Sequence, residues 1–459
     1  MWRYFTFRRI GFATLETLIL VCCGLGVYLF RSEFPYDIGG RLYILLKTLV
    51  VAIVFQFSLH LHDLYPFQGR QFSTRFIGLL LRAIGFAVLT TIIIFFVFPW
   101  QSTGQSVLAW NLILTALFVF FWHIVLRVYL RVRVPNTNLL VLGISDLAIA
   151  AVREILNRPE LSIKIIGFVA DASEADCVLG VNVGIIGNYD DFPNLVLEHN
   201  VNHIIVGLPD SRKKLPIEML LDFKSRGLFI EEAAAFYEQV AGKIPVENLR
   251  PSWLVFNNGF DISKDIFLIK RIFSICLSIV LLILTSPFIL LAAIMVKLDS
   301  RGPVFYKQER VGQNGHVFKL LKFRSMRQDA EKETGPVWST PGDDKRVTRV
   351  GRLLRRTRID ELPQIYNILR GDMDMVGPRP ERPVFVEQLS VEIPYYPLRH
   401  VVKPGITGWA QVNYGYACKL EHTIEKLQYD LFYIKNLSLA LDIMVIFETI
   451  KTVLVRKGS

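Results

Sequence analysis

The chain has 459 residues, of which 52% are hydrophobic, and a formal net charge of +11. This composition excludes an ordinary water-soluble globular protein and predicts that part of the chain lies in a membrane. The charge indicates anionic partners; without a nucleic-acid-binding motif we expect lipid headgroups or phosphorylated substrates, and no nucleic acid. The five cysteines follow neither a disulfide framework nor a metal-ligand spacing, which favours a reducing environment for the exposed parts.

Four apolar segments open the chain, each close to the ~20 residues that cross a bilayer core. They run from Phe12 to Phe30, from Tyr43 to Leu61, from Phe76 to Phe98 and from Val107 to Leu130. Arginines precede the first segment, separate the second from the third and follow the fourth, which places both ends of the bundle in the cytoplasm. We therefore predict a membrane protein with a four-helix transmembrane bundle over residues 1–134.

Residues 135–245 change to short apolar, partly β-branched runs that alternate with helical stretches. This pattern predicts an α/β, Rossmann-like cytoplasmic domain with a parallel sheet. Its first strand ends in Gly143-Ile-Ser-Asp-Leu-Ala148, a GxSxxA sequence where a dinucleotide site would have GxGxxG. Because the second glycine lets the backbone approach a pyrophosphate, Ser145 favours a structural or regulatory domain over a cofactor site. We predict a linker over residues 246–269.

A further apolar segment, residues 272–296, is interrupted near its middle by Ser286 and Pro287 and has basic residues at both ends. Half-helices of about 11 residues reach roughly 16 Å each, about half of the ~30 Å hydrocarbon core. We therefore predict a re-entrant helix, broken where the proline frees a carbonyl that Ser286 or a neighbouring helix can satisfy. Both ends then lie in the cytoplasm. The last apolar stretch, residues 439–455, contains charged residues and is expected on the membrane surface or against the domain.

Two adjacent carboxylates, Asp360 and Glu361, precede an apolar helical segment. An arginine-rich run comes before them: Arg349, Arg352, Arg355, Arg356 and Arg358. An aspartate before a helix is commonly an N-cap. Cations around a carboxylate pair also suit an anionic substrate, because they offset the repulsion between two anions. The pattern favours phosphoryl transfer, and we expect both acids to be exposed at the helix start.

Eight motifs occur in order over residues 270–411. They are Lys270-Arg271, Ser286-Pro287, Lys297-Leu-Asp-Ser-Arg-Gly-Pro-Val304, Gln308-Glu-Arg-Val-Gly312, Lys322-Phe-Arg-Ser-Met326, Asp360-Glu-Leu-Pro-Gln364, Val376-Gly-Pro-Arg-Pro380 and Pro404-Gly-Ile-Thr-Gly-Trp-Ala-Gln411. As a set they resemble the bacterial sugar transferases, the monotopic polyprenyl-phosphate hexose-1-phosphate transferases. Residues 270–459 would then be a mixed α/β catalytic domain. The whole chain looks like the long form of that family, which starts exopolysaccharide or O-antigen units.

The resemblance implies that hexose-1-phosphate passes from a UDP-sugar to undecaprenyl phosphate, with release of UMP, at the bacterial inner membrane. It makes Asp360 the nucleophile and Glu361 the acid–base residue, with both as Mg²⁺ ligands. A carboxylate can carry a phosphoryl group in a covalent intermediate, and Mg²⁺ would neutralise charge on the diphosphate. The candidate substrate-binding residues are Lys322, Arg324, Arg355, Arg358, Arg379 and Gln411. A homodimer is one candidate assembly.

Two positions depart from the family pattern. Ser274 stands where an aspartate usually follows the Lys-Arg pair, and Tyr414 stands where the family more often has glycine. Two other functions stay open. A membrane-anchored nucleotide-sugar dehydratase would need an intact glycine loop and a Tyr-x-x-x-Lys pair, which occurs only at Tyr43 and Lys47 inside a membrane segment. In a non-catalytic scaffold or regulator of polysaccharide assembly, Asp360 would merely cap a helix.

Overall fold

The computed structural model describes residues 2–30, 38–62, 64, 74–97, 105–133, 137–158, 161, 163–171, 183–208, 216–246, 263–327, 346–414 and 420–455. The chain forms two compact units, Met1–Val240 and Ala241–Ser459.

Four long helices open the first unit: α1 (Trp2–Phe30), α2 (Ile38–Leu61), α3 (Thr74–Val97) and α4 (Gln105–Arg133). Helices α2, α3 and α4 are long and apolar enough to cross a membrane, and α1 has a shorter apolar part. Each helix packs on the next, and α4 returns to α1. Phe55, Leu80 and Val119 are fully buried among them. The predicted four-helix arrangement is confirmed.

Polar side chains inside this bundle bond across its helices. His123 Nε2 lies 3.0 Å from Glu16 Oε1, and the Ser58 hydroxyl donates to the Ala83 carbonyl at 2.6 Å. In an apolar environment such contacts fix which helix faces meet. Tyr43 and Lys47 are one turn apart on α2, with Lys47 Nζ 4.0 Å from the Tyr43 ring centroid. The Tyr-x-x-x-Lys pair of a dehydratase is therefore part of the bundle and not of a nucleotide-binding domain.

In the described residues, the rest of the first unit is a five-stranded sheet with four α-helices. The strands are β1 (Thr137–Leu142), β2 (Ile163–Val169), β3 (Ile185–Gly187), β4 (His203–Val206) and β5 (Phe229–Glu232), and the helices are α5 (Asp146–Asn157), α6 (Phe192–Glu198), α7 (Ile217–Ser225) and α8 (Ala233–Ala241). All strand pairs are parallel, in the order β3-β2-β1-β4-β5. The predicted parallel sheet is confirmed, and its order matches five strands of the doubly wound dinucleotide fold.

The GxSxxA turn after β1 is packed closely. Gly143 has φ +85°, and a Cβ there would lie 2.6 Å from Leu208 Cδ2, so the turn needs glycine both for its dihedral and for space. The Ser145 hydroxyl accepts from the Ala148 N–H at 3.3 Å and caps α5. Serine in place of the second glycine thus has a local structural use, and the regulatory role of the domain stays a prediction.

The second unit begins at Ala241, ahead of the predicted linker. Ile244 and Val246 are buried, and the Ile244 N–H donates to the Gln428 carbonyl at 3.0 Å. The Gly242 carbonyl accepts from Trp409 Nε1 at 2.8 Å. Lys243 and Glu425 form an ion pair at 2.8 Å. The segment 241–246 is therefore part of the same packed body as the motifs that follow it.

The membrane segment is one continuous helix, α9 (Lys264–Asp299), with Pro287 inside it. The predicted break into two half-helices is wrong. Pro287 leaves the Ile283 carbonyl without its N–H donor, and the Ser286 hydroxyl donates to that carbonyl at 2.9 Å. The prediction that Ser286 satisfies the freed carbonyl is thus confirmed. Because this acceptor is satisfied locally, the helix continues past the proline, and the re-entrant path stays a prediction.

Both ends of α9 pack on the second unit, whereas its middle does not. Near its start, Lys270 Nζ lies 2.6 Å from Asp442 Oδ2, and both side chains are buried. Near its end, Ala292 and Val296 are buried with Phe323 and other apolar residues. Between them the side chains at positions 282–284 and 290–291 are exposed and apolar. One folded body therefore holds both ends of an uncovered apolar helix.

The remainder of the second unit is mixed α/β, as predicted. The strands β6 (Phe305–Val311) and β7 (Val317–Phe323) form an antiparallel hairpin, and β8 (Asp374–Val376) pairs in parallel with β9 (Gly405–Thr407). The helices are α10 (Arg349–Arg356), α11 (Gln364–Arg370), α12 (Pro383–Glu392), α13 (Trp409–Asn413), α14 (Leu420–Lys435) and α15 (Leu439–Val455). Helix α15 packs on α9 and β8, in agreement with its expected place against the domain.

Candidate active site

The two adjacent acids lie in a 3₁₀ turn, Ile359–Glu361, between α10 and α11. Arg358 precedes the turn with φ +59° and reverses the chain after α10. The turn packs on β7, α10 and α9. Asp360 and Glu361 are each only 8% exposed, so the expectation that they are exposed is wrong. They are buried because the preceding Ile359 joins the apolar cluster at the end of α9 and draws the turn inward.

Three cations surround Glu361. Its Oε1 lies 2.9 Å from Arg379 Nη2 and 3.2 Å from Lys322 Nζ, and its Oε2 lies 3.9 Å from Arg358 Nη1. Burial alone would raise the pKa of Glu361, but Arg379, Lys322 and Arg358 outweigh burial and hold the pKa below the usual range. Glu361 is therefore ionised and organises the cations beside it.

Asp360 has the opposite electrostatics. Among the residues that the structure describes, no ion pair includes Asp360. Burial and the neighbouring Glu361 raise the pKa of Asp360 to about 6, against the opposing effect of Lys322, Arg355 and Arg379. Two adjacent acids whose environments drive their pKa values apart are suited to different roles. The carboxylate oxygens of Asp360 are therefore available to a ligand.

Capping does not account for Asp360. The residue at the N-cap of α11 is Pro363, and no side-chain hydrogen bond caps this helix. The local bonds are instead backbone bonds, from the Leu362 N–H to Ile359 and from the Ile365 N–H to Leu362. The geometry thus offers no support for the scaffold alternative in its helix-cap form.

The structure brings together four of the six predicted substrate-binding residues. Lys322, Arg358 and Arg379 contact Glu361. Arg355 lies near enough to Asp360 to lower its pKa, and Arg355 Nε donates to the Ser325 hydroxyl at 2.8 Å. Four cations gathered at one place favour binding of a phosphorylated ligand. These four cations and the two acids define the candidate site.

The other two candidates lie apart from the acids. Arg324 is buried and donates from Nη2 to the Ser300 carbonyl at 2.7 Å and to its hydroxyl at 2.8 Å. Gln411 donates from Nε2 to the Ile406 carbonyl at 3.3 Å. Neither contacts Asp360 or Glu361 in the described structure. Their roles as substrate ligands stay predictions, and Arg324 also ties β7 to the end of α9.

Both departures from the family pattern form specific contacts. The Ser274 hydroxyl accepts from the Met375 N–H at 3.2 Å, so serine joins α9 to β8 at the position where aspartate was expected. The Tyr414 hydroxyl and His422 Nδ1 are hydrogen-bonded. Ser274 therefore links α9 to β8 although it stands in place of the usual aspartate.

Sequence reasoning missed a second buried network behind the site. Lys270 Nζ bonds to Asp442, to the Tyr433 hydroxyl at 2.5 Å and to the Val376 carbonyl at 2.7 Å. Arg399 Nη2 bonds to Asp430 at 2.8 Å and to the Arg379 carbonyl at 2.9 Å. Asp442 could have been recognised as a network residue, because it is a charged residue inside an apolar helix. No local sequence feature distinguishes Arg399 in this way.

The donor set around Asp360 and Glu361 fits Mg²⁺ in one particular way. Within the described part of the chain, no group of three or more His, Cys, Asp and Glu side chains could hold a metal ion. Protein-bound Mg²⁺ commonly takes one or two carboxylates and completes its shell with water and substrate phosphates. Asp360 and Oε2 of Glu361 would be the two carboxylate ligands, because Oε1 of Glu361 has closer cation partners than Oε2.

Two family models match the chain. The one described as "Bacterial sugar transferase" matches residues 266–456, which include the second buried network and the acid pair. The one described as "CoA-binding domain" matches residues 60–223, which include most of the parallel sheet.

Three relatives align with different shares of the chain. A UDP-glucose:undecaprenyl-phosphate glucose-1-phosphate transferase of Klebsiella pneumoniae is 32% identical over 451 residues, 95% of this chain and 93% of that protein. The protein with the same description from Escherichia coli is 31% identical over 432 residues, 90% of this chain and 89% of that protein. A UDP-N-acetylgalactosamine-undecaprenyl-phosphate N-acetylgalactosaminephosphotransferase of Aeromonas hydrophila is 44% identical over 223 residues, which is 48% of this chain and only 51% of that relative's length.

Proposed function

Since the chain belongs to the bacterial sugar transferase family, we propose that it transfers hexose-1-phosphate from a UDP-sugar to undecaprenyl phosphate and releases UMP. The observation that carries this proposal is the buried pair Asp360 and Glu361, in which Glu361 is committed to cations and Asp360 is not. Two of the relatives are described as using UDP-glucose, and one as using UDP-N-acetylgalactosamine.

In the first step, an Asp360 carboxylate oxygen attacks the β-phosphorus of the UDP-sugar. The bond between that phosphorus and the oxygen bridging the two phosphates breaks, and UMP leaves with the bonding pair. The hexose-1-phosphoryl group is then an acyl phosphate on Asp360. Lys322 and Arg379, fixed by Glu361, offset the negative charge of the diphosphate as the carboxylate approaches.

In the second step, a phosphate oxygen of undecaprenyl phosphate attacks the same phosphorus. The bond to Asp360 breaks, the carboxylate is restored and the lipid-linked diphosphate sugar is formed. Splitting the transfer lets the bulky lipid enter after UMP has left. Mg²⁺, held by Asp360 and Glu361, would neutralise charge on the phosphate oxygens. Glu361 keeps the arginines and the lysine in place through both steps.

We place this reaction at the cytoplasmic face of the bacterial inner membrane, where it would start an exopolysaccharide or O-antigen unit. Both ends of α9 pack on the same unit, and the exposed apolar side chains at positions 282–284 and 290–291 lie between the two packed regions. This arrangement supports an α9 that enters and leaves the bilayer on one side. The positive charges at both ends of the segment favour the cytoplasmic side.

A cysteine-labelling experiment tests this topology. We expect Asp265→Cys and Arg301→Cys, in a background without the five native cysteines, to react with an impermeant maleimide only after spheroplasts are lysed. Both positions are exposed and lie at opposite ends of α9. Ser102→Cys, between α3 and α4, is the matched control and should react in intact spheroplasts. Reaction of Arg301→Cys in intact spheroplasts would show that α9 crosses the membrane.

The transfer itself is tested with the purified full chain in lipid nanodiscs. UDP-glucose and UDP-N-acetylgalactosamine, each labelled in the sugar, are supplied with undecaprenyl phosphate, and both UMP and organic-phase label are measured. We expect equal amounts of UMP and lipid-linked sugar with at least one donor. A folded protein that produces neither from any UDP-hexose would support a scaffold or regulator instead.

A further inference from the structure

The segment Val376–Glu381, which carries Arg379, is held by its carbonyl groups. Val376 accepts from Lys270 at 2.7 Å, Pro378 from the Gly405 N–H at 3.0 Å, Arg379 from Arg399 at 2.9 Å, Pro380 from Arg310 at 2.9 Å and Glu381 from the Val311 N–H at 2.9 Å. These donors come from α9, β6, β9 and the turn Tyr396–His400. Four separate parts of the second unit thus fix this one short segment.

The bond to the Arg379 carbonyl has a special effect on the side chain of Arg379. Pro378 and Pro380 flank this residue, and a residue before proline is confined to extended conformations. Pro380 narrows rotation about the Cα–C bond of Arg379, and the bond from Arg399 to the Arg379 carbonyl holds that rotation at one value. This fixes the direction of the Cα–Cβ bond of Arg379, from which its guanidinium reaches Glu361 at 2.9 Å.

Arg399, which makes that bond, is itself held on two further sides. Its Nη1 donates to the Tyr396 hydroxyl at 2.8 Å, and its Nη2 donates to Asp430 at 2.8 Å. Arg399 is 7% exposed and Asp430 2%. A planar guanidinium can donate to three such acceptors in a fixed geometry, whereas an ammonium group cannot reproduce the fork. No contact joins Arg399 to Asp360 or Glu361 in the described structure.

We propose that Arg399 is a positioning residue for transfer, which orients the Arg379 side chain toward Glu361 through the Arg379 carbonyl. This inference rests on the proposed function, because it assigns Arg399 a part in the same site. If the buried Arg399–Asp430 pair only stabilised the fold, replacing Arg399 would lower stability, and its effect on transfer would not depend on Arg379.

A double-mutant cycle separates these roles. We expect Arg399→Lys to lower kcat/KM for the UDP-sugar about 10- to 100-fold, because a small misplacement of a phosphate-binding group has an effect of this size. In an Arg379→Ala background, Arg399→Lys should change kcat/KM less than about 2-fold, since interacting residues are non-additive. Arg271→Lys is the matched control: this arginine caps the carbonyls of Ile368 and Leu369 and should leave kcat/KM near that of the parent.

Tyr396→Phe gives a milder second test, because it removes only the hydroxyl that orients Arg399. We expect a smaller fall in kcat/KM, again absent in the Arg379→Ala background. Equal effects of Arg399→Lys or Tyr396→Phe with and without Arg379 would overturn the inference. The affinity for UDP, measured by calorimetry over the same cycle, gives a readout besides activity and should show the same non-additivity. A parent protein without transfer activity would instead contradict the proposed function.

Discussion

Replacing Asp360 by asparagine is expected to lower transfer by at least about 10³-fold while making the domain more stable. The loss of activity follows because an amide cannot form the acyl phosphate that the proposed reaction passes through. The gain in stability follows from the burial of Asp360. A loss of activity together with a gain in stability is the result expected for a catalytic group that is held in an unfavourable environment.

The sign of the stability change follows from proton linkage. The pKa of Asp360 is raised from 3.8 to about 6 in the folded protein. The folded state therefore binds more protons than the unfolded state between these values, and stability is lost as the pH rises through this window. At pH 7.5 the ionised side chain costs up to about 3 kcal/mol, from 1.36 kcal/mol per pKa unit. Asparagine removes this cost, and below pH 4 the variant and the parent should be equally stable.

Three measurements check this result: label incorporated into lipid, label retained on the protein, and thermal unfolding in detergent. The parent given UDP-sugar without acceptor lipid should retain label that hydroxylamine removes, as an acyl phosphate requires. Asp360→Asn should retain none. Glu392→Gln, at an exposed position on α12, is the control for the chemical change. Full transfer by Asp360→Asn would exclude Asp360 as the nucleophile.

Replacing Glu361 by glutamine should also abolish most activity but should destabilise the domain, the opposite of its neighbour. Glutamine leaves Lys322, Arg358 and Arg379 without their shared anion. Removing one partner of a buried ion pair commonly costs about 3–5 kcal/mol; because Arg379 is one-third exposed, we expect about 2–3 kcal/mol. The depressed pKa of Glu361 means that this stabilisation is present above pH 4.5 and is lost as the pH falls.

Thermal unfolding at pH 7.5 and at pH 4 distinguishes the two acids. At pH 7.5 the melting temperature should rise for Asp360→Asn and fall for Glu361→Gln. The difference should narrow at pH 4, because Asp360 is then protonated in the parent and part of the stabilisation by Glu361 is lost. The expected fall in kcat for Glu361→Gln is about 10²–10³-fold, as for loss of a preorganised charge. Equal shifts of the same sign in both variants would show that the two carboxylates share one environment.

Much of the architecture could be predicted from local patterns. Apolar length and flanking charge located the bundle, and alternating apolar runs located the parallel sheet. The arginine run next to the two acids located the cationic site. Residues that are close in sequence stay close in space when they lie on adjacent short elements. Lys322 and Arg379 could be placed there only through the resemblance, since they lie 39 and 18 residues from Glu361 in the chain.

The errors have a common physical cause, which is compensation by neighbouring side chains. Pro287 normally interrupts a helix, but the neighbouring hydroxyl of Ser286 satisfies the freed carbonyl and α9 continues. Two charged acids normally prefer solvent, but Ile359 packs in the apolar cluster and buries the turn that carries them. Lys322, Arg358 and Arg379 compensate the burial of Glu361. Arg399 has no clear signal in the sequence, since two of its three acceptors, Asp430 and the Arg379 carbonyl, lie on other elements.

The packed segment 241–246 bears on how this protein can be divided. A chimaera that joins the catalytic body to another membrane bundle at residue 266, where the family match begins, would omit it. Trp409 would then lose the acceptor for its indole N–H, and the Gln428 carbonyl would lose its donor. Without the buried side chains of Ile244 and Val246, the apolar surface that they cover would be exposed to water. The catalytic body of this chain thus begins at Ala241. We expect a functional exchange of domains to need a junction before that residue.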